Sequence, residues 1–571
     1  MPATPGNRLI PGLLTAALMA LTLGACSDPQ GEPADLVLHN GKVVTVDAAV
    51  PDGQAVAVKD GRILAVGSDR SIRAHIGADT EVIDLRGQLA IPGLIDSHVH
   101  FQSIGAARLQ LDLMEVANWD EVVQMVAQAV AQAEPGVLIQ GRGWHQEKWD
   151  TAPEPNVDGL PFHHSLSAVS PNHPVVLTHA SGHASFANAR AMELAGITAA
   201  TPDPRGGQIV RDGQGNPIGA FRQTAQGLLG PARARAVPPD PRRVVQMANE
   251  EVLSKGLTTV HDAGVGFDAV DLFRELIDAG EIGVRLNVMV NASNRELEER
   301  LPQYRMIGYG DHHLTVRTIK RLIDGALGPH GAWFLEPYQD LPSSSGLNTT
   351  PVELIQETAR IAAEHGFQLA VHAIGDRGNR ETLDIFEATF AAYPEDTDRR
   401  WRIEHSQHLH PDDIPRFGAL GVIPSMQGIH CTSDAPYVLE RLGEERAGEG
   451  AYVWQKLMAG GAVIANGTDA PVERVDPIPS YYASVSRRLA DGSVFFPEQR
   501  MSRMEALRSY TINGAYAAFE EDIKGTLTPG KLADITVLSR DILTVPEEEI
   551  LSAEVVYTIV GGDVKYRRGP R

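Results

Sequence analysis

Six residues of this chain have the types and positions to act together on a metal. His98 and His100 stand two apart in Asp96-Ser97-His98-Val99-His100. In an extended strand a period of two sends both imidazoles from the same face. An H-x-H pair alone carries little weight, because such pairs arise by chance. Lys320, His372, His405 and Asp469 give it meaning, since each lies in, ends or follows an apolar stretch that reads as a strand. Four imidazoles and a carboxylate suit Zn²⁺ or a similar transition metal. Taken singly, each histidine is better read as a core or loop residue. It is the shared placement at strand ends that argues for a metal centre.

Those strand ends need a common mouth. Apolar strands alternating with helical runs argue for parallel βαβ units. Eight strands can be placed, near 94–100, 258–262, 285–290, 318–323, 368–372, 402–405, 421–425 and 462–467, with amphipathic runs such as 352–364 and 380–391 between them. Eight parallel strands close a barrel whose C-terminal strand ends converge on one face, where the six groups would meet. The expected fold class is therefore α/β, a (β/α)₈ TIM-like barrel over 91–524. Residues 101 to about 250 are too long for one connection and are expected to form an inserted subdomain over the mouth. On either side, 35–90 and 525–571 alternate in short strands broken by turns such as Asn40-Gly41 and Asp60-Gly61. That is a hairpin pattern. Neither piece buries two faces alone, so the two are expected to pair into one small β-sandwich.

The first residues read as an export signal. Arg8 is the only charge before Asp28, and the apolar run from Leu13 to Leu23 is about half of what a spanning helix needs. Leu23-Gly24-Ala25-Cys26 resembles the lipobox of bacterial lipoproteins. Residues 1–25 are then a signal peptide, Cys26 the lipidated residue and 26–34 a polar tether. The protein is expected to be exported and to touch the membrane only through that lipid anchor, facing the periplasm from the outer membrane in a Gram-negative host. The other cysteine, Cys431, then has no partner for an intramolecular disulfide. A formal net charge of −23 with interspersed basic residues offers no stripe for a phosphate backbone, which argues against nucleic-acid binding. Oligomeric state stays open, a homo-oligomer included.

The segment from Pro92 to His100 resembles the opening motif of the amidohydrolase superfamily. The similarity narrows with Ile319-Lys320, Asp324-Gly325-Ala326-Leu327-Gly328, His372-Ala373-Ile374-Gly375-Asp376, Arg402-Ile403-Glu404-His405 and Gly467-Thr468-Asp469-Ala470-Pro471. These resemble the branch containing N-substituted formamide deformylase. The resemblance implies a two-metal site, zinc first among the divalent candidates. His98, His100 and Asp469 would hold one ion, His372 and His405 the other, and Lys320 would bridge them as a carbamate. The alternative is an unmodified Lys320 in a one-metal enzyme. The resemblance also implies a metal-activated hydroxide as nucleophile, with Asp469 as the catalytic proton carrier.

Around this centre, His183 and Trp144 are candidates for contact with a small-molecule substrate, Trp144 being equally readable as packing. Gln223 stands where relatives are expected to carry an acid. Asp324-Gly325 reads as a turn shaping a strand end, and His408 with several other histidines as surface or loop residues. The expected activity is hydrolysis of a non-peptide C–N bond in an N-formyl, N-acyl or cyclic amide. An ester, lactone or phosphoester hydrolase is the alternative on the same site. A non-catalytic ligand-binding lipoprotein is a third reading, and the intact ligand set argues against it.

Overall fold

In the computed structural model, which describes residues 31–569, eight parallel strands run side by side in chain order. They are β1 (Leu94–Val99), β2 (Leu257–Val265), β3 (Arg285–Val290), β4 (Leu314–Leu322), β5 (Gln368–Ala373), β6 (Arg402–His405), β7 (Ile423–Gln427) and β8 (Ala465–Gly467). The expected signal segment and Cys26 lie outside the described residues. Among the described residues, no helix is long and apolar enough to cross a membrane.

The seam between β8 and β1 is closed by bonds just beyond the last strand. The Asp469 N–H donates to the His98 carbonyl at 2.8 Å, and the Thr468 hydroxyl donates to the Asp96 carboxylate at 2.6 Å. Strands covered on both faces read as continuous buried runs. In β3 every residue is buried, including Arg285, whose guanidinium pairs with Asp534 at 2.8 and 3.0 Å and so ties the barrel to the C-terminal sheet. The helices between strands begin and end on local signals. Asn294–Tyr304 opens on a capping box formed by Ser293 and Glu296, and Val352–His365 ends at Gly366 in the left-handed region.

The terminal segments form two facing sheets. Leu36–His39, Ala55–Lys59, Arg62–Gly67 and Glu81–Asp84 make one; Lys42–Val43 and Leu89–Pro92 join Ile535–Leu538, Val555–Val560 and Asp563–Arg567 in the other. Leu36, Leu38 and Val56 share one core with Ile535, Val537 and Ile559, which is the composite sandwich expected from the alternation.

The inserted sheet has six strands between Leu111 and Gln223, with its own core around Trp119, Trp144, Leu177 and Phe186. The helices at its two ends, Phe101–Ala107 and Pro241–Ser254, belong instead to the barrel. Phe101 and Ile104 pack in the same core as Val245 and Val252, so the insertion proper is narrower than 101–250.

Candidate metal centre

All six expected residues sit at the C-terminal end of the barrel. His98 lies near the end of β1 with His100 just beyond it. Lys320 is in β4, His372 near the end of β5, His405 at the end of β6, and Asp469 follows β8. The ring of His405 is 4.7 Å from that of His98 and 4.5 Å from that of His372. Asp469 Oδ1 lies 3.5 Å from His98 Nε2 and 3.2 Å from His100 Nε2. One ligand atom from each of His98, His405 and Asp469 falls within 4.8 Å of the other two. Lys320 is buried beside them, close enough for its charge to act on His98, His372 and His405.

Hydrogen bonds behind the imidazoles set their tautomers. His98 Nδ1 donates to the Glu404 carboxylate, and His405 Nδ1 donates to Gln427 Oε1 at 2.7 Å. Both acceptors are oxygens, so each ring keeps its proton on Nδ1 and offers the Nε2 lone pair to the mouth. Glu404 is in turn held by the buried Arg402 guanidinium, whose Nε donates to Oε1 at 2.7 Å. Arg402 also donates to the Ser97 carbonyl and the Ser425 hydroxyl, each at 2.7 Å. Neighbours in a strand normally face opposite ways, yet Glu404 and His405 both reach His98. The left-handed φ of 77° at His405 ends the alternation and lets both side chains enter.

Burial is the dominant electrostatic influence. It holds His98 and His372 well below the ordinary histidine value, with the charge of Lys320 next for His98 and that of His405 next for His372. It brings His405 to about 4. Burial also lowers Lys320. Burial alone would raise the Asp469 carboxyl, but the His100 hydrogen bond and the charges of His98 and His405 outweigh it and hold the group well below the usual carboxylate range. Burial thus favours the neutral form of the His98, His372 and His405 imidazoles.

Above the centre is a narrow cleft that His183, His372, His405 and Asp469 help to line. His183 packs against His372 at 4.9 Å between rings, its Nδ1 bonded to Gln223 Oε1 at 2.8 Å. Gln223 thus has the work of orienting His183. Trp144, by contrast, does not reach the cleft. It is fully buried in the core of the inserted sheet and donates its indole N–H to the Leu177 carbonyl at 3.0 Å, while its neighbour His145 lines the wall. Asp324 is more than a turn residue. Buried completely, it accepts backbone N–H groups from Trp333, Ile374 and Gly375 at 2.8–3.0 Å and pins the loop after β4 onto the end of β5. His408 is buried as well, packed edge-on against Tyr452.

Sequence reasoning passed over Arg402 and Glu404 as functional groups, although a signal existed. They are opposite charges two apart in an apolar strand, hence on one face and inside the barrel. Gln427 carried no comparable signal.

Comparison with known proteins agrees with this geometry. The sequence profile described as the amidohydrolase family matches residues 81–566. The protein LONG AFTER FAR-RED 3 of Arabidopsis thaliana is 35% identical over 558 residues, covering 95% of this chain and 94% of its own. The N-substituted formamide deformylase of Arthrobacter pascens is 29% identical over 545 residues, covering 94% and 98%. Among solved structures, an uncharacterized metal-dependent hydrolase from Pyrococcus furiosus superposes with a TM-score of 0.68 at 28% identity, covering 89% of this chain and 100% of that one. With a family match over most of its length and a barrel whose strand ends gather these side chains, the chain belongs to the amidohydrolase family of hydrolases.

Proposed function

We propose that this hydrolase cleaves a non-peptide C–N bond, in an N-formyl, N-acyl or cyclic amide, at a centre of divalent metal. The observation that carries the reading is a set of buried ligand atoms without a hydrogen-bond partner among the described residues. These are His98 Nε2 and His372 Nε2, and beside them Asp469 Oδ1 lies 3.2 Å from His100 Nε2. Each such atom costs about 1–3 kcal/mol if left unpaired, and both rings stand at the C-terminal end of the barrel. A cation satisfies them together, and nitrogen and oxygen donors in this mix suit zinc. His98, His100 and Asp469 would hold one ion and His372 and His405 a second. An unmodified Lys320 ammonium would repel both, whereas its carbamate is an anionic oxygen ligand able to bridge them.

Bound metal supplies a polarised substrate carbonyl and a water acidic enough to attack near neutral pH. The chain's residues supply the rest. Asp469 takes a proton from the attacking water and delivers it to the leaving nitrogen. Glu404 and Gln427 keep the His98 and His405 lone pairs aimed at the mouth. His183, held by Gln223 on the inserted wall, faces the substrate. Similarity to the formamide deformylase along nearly the whole chain favours an amide over an ester.

The test is a substrate panel run on zinc- and manganese-loaded protein, pairing N-substituted formamides, N-acyl amides and cyclic amides with matched esters, lactones and phosphoesters. Turnover of one amide class above its matched ester is expected. Turnover confined to esters, lactones or phosphoesters would overturn the C–N assignment.

A further inference from the structure

Beside the six gathered groups, His430 lines the same cleft with an unused hydrogen-bonding atom. It lies in the first turn of the helix Gly428–Leu442, directly after β7, and is only 5% exposed. Its ring lies nearly parallel to that of His405, 22° between planes and 6.2 Å between centroids. Nε2 is buried and has no partner among the described residues.

The state of that atom follows from its other side. Gln407 Nε2 lies 3.1 Å from His430 Nδ1. With the Gln407 amide placed this way its nitrogen donates to Nδ1, and the ring proton then sits on Nε2. An imidazole N–H is then presented to the cleft without a partner among the described residues. The backbone beneath it is fixed. The N–H of Gly428 donates to Asn466 Oδ1 at 2.9 Å and that of Ile429 to the Ser480 hydroxyl at 3.0 Å. A donor buried, rigid and unpaired in the cleft of a hydrolase is placed to receive charge that develops during the reaction.

We propose that His430 is a catalytic residue that donates its Nε2–H to the carbonyl oxygen of the substrate. This rests on the hydrolytic reading above. As water oxygen bonds to the carbonyl carbon, the π electron pair moves onto the carbonyl oxygen, and His430 hydrogen-bonds the resulting negative charge. When that pair returns, the C–N bond breaks and the leaving nitrogen takes the proton that Asp469 removed from water. The products are a carboxylic acid and an amine, and His430 keeps its proton throughout. The bond strengthens as charge builds, so its effect belongs to kcat more than to KM.

The experiment compares wild type with His430→Leu, His430→Asn and His430→Gln on the best carbonyl substrate of the panel, with metal content and thermal denaturation measured on each preparation. Leucine removes the donor and asparagine withdraws it from the cleft. Glutamine keeps an N–H at nearly the reach of Nε2. Metal content and Tm are expected to stay near wild type. kcat should fall about 10²–10³-fold in the leucine and asparagine variants, the usual loss for one such donor, with partial recovery in the glutamine variant and little change in KM. If the leucine variant does not fold, the asparagine–glutamine contrast carries the test. Equal kcat in all folded variants would overturn the proposal, as would metal loss in all of them, since His430 would then be a ligand. If the wild type cleaves only esters, the amide reading fails while the His430 effect is still read on the ester carbonyl.

Discussion

The backbone N–H of Asp469 donates to the carbonyl of His98 at 2.8 Å, joining the exit of the last barrel strand to the end of the first. Asp469 takes a left-handed conformation there, with φ at 56°. Among non-glycine residues, aspartate and asparagine tolerate that region best. The turn brings the carboxylate back over the mouth, within 3.5 Å of His98 Nε2 and 3.2 Å of His100 Nε2. That hydrogen bond helps to close the barrel and positions the proposed proton carrier.

Asp469→Asn keeps the shape and the backbone preference but removes the base. It is expected to retain much of its metal and substrate affinity while kcat falls by about 10²–10⁴-fold, the range for a general acid–base group. Metal analysis and steady-state kinetics on the same preparation check this. Near-normal kcat would assign proton transfer to another group.

Glu404→Gln tests the support behind His98. The amide still fills the space, but it no longer accepts the Nδ1 proton as an anion, and the buried Arg402 loses its counter-charge. Metal affinity is expected to fall about 10–100-fold, as for other groups that orient a ligand from behind. Competition with a chelator of known affinity measures it. Unchanged affinity would show that His98 is oriented by packing alone.

Lys320→Ala should lose metal and activity together, because the proposed bridging ligand is removed. Short carboxylic acids added to this variant are expected to restore part of both by standing in for the carbamate. A fully active Lys320→Arg would remove the carbamate from the mechanism, since a guanidinium does not form one.

Acid stability should depend on His179. This residue is fully buried, with Nδ1 2.8 Å from the Ser181 hydroxyl and Nε2 3.1 Å from Gln146 Oε1. Burial, followed by the charges of Lys148 and Arg142, brings it down to about 3. Between about 6.5 and that value the unfolded chain binds a proton that the folded one refuses. The contribution is therefore complete above pH 6.5 and is lost as pH falls toward 3. From this group alone about 2 kcal/mol should be gone by pH 5, at about 1.4 kcal/mol per pH unit. Unfolding free energies at pH 7 and pH 5 should differ less in His179→Gln than in wild type by about that amount. An equal difference in both would exclude His179 as the source.

Much of the centre was legible in the sequence because its information is local. Strand alternation, βαβ order and a strand count of eight place His98, His372 and His405 at the ends of parallel strands. A barrel then has only one face for those ends. The composite sandwich was legible for the same reason, since alternating strands with one apolar face must find a second sheet.

Only the tertiary structure decided which neighbours orient those ligands and which side chains of the insertion face the cleft. Gly143, at a φ of 112°, breaks the alternation just before Trp144 and His145, so parity along that strand does not say which of the two turns inward. An added Cβ at Gly143 would stand 2.5 Å from Met114 Cγ, so that close approach needs glycine. The Glu404–His98 pair likewise depends on the left-handed turn at His405, and the Gln407–His430 pair on how the loop after β6 meets the helix after β7. Such contacts join positions far apart in the chain. They are set by the twist and closure of the whole barrel, and no local period in the sequence encodes them.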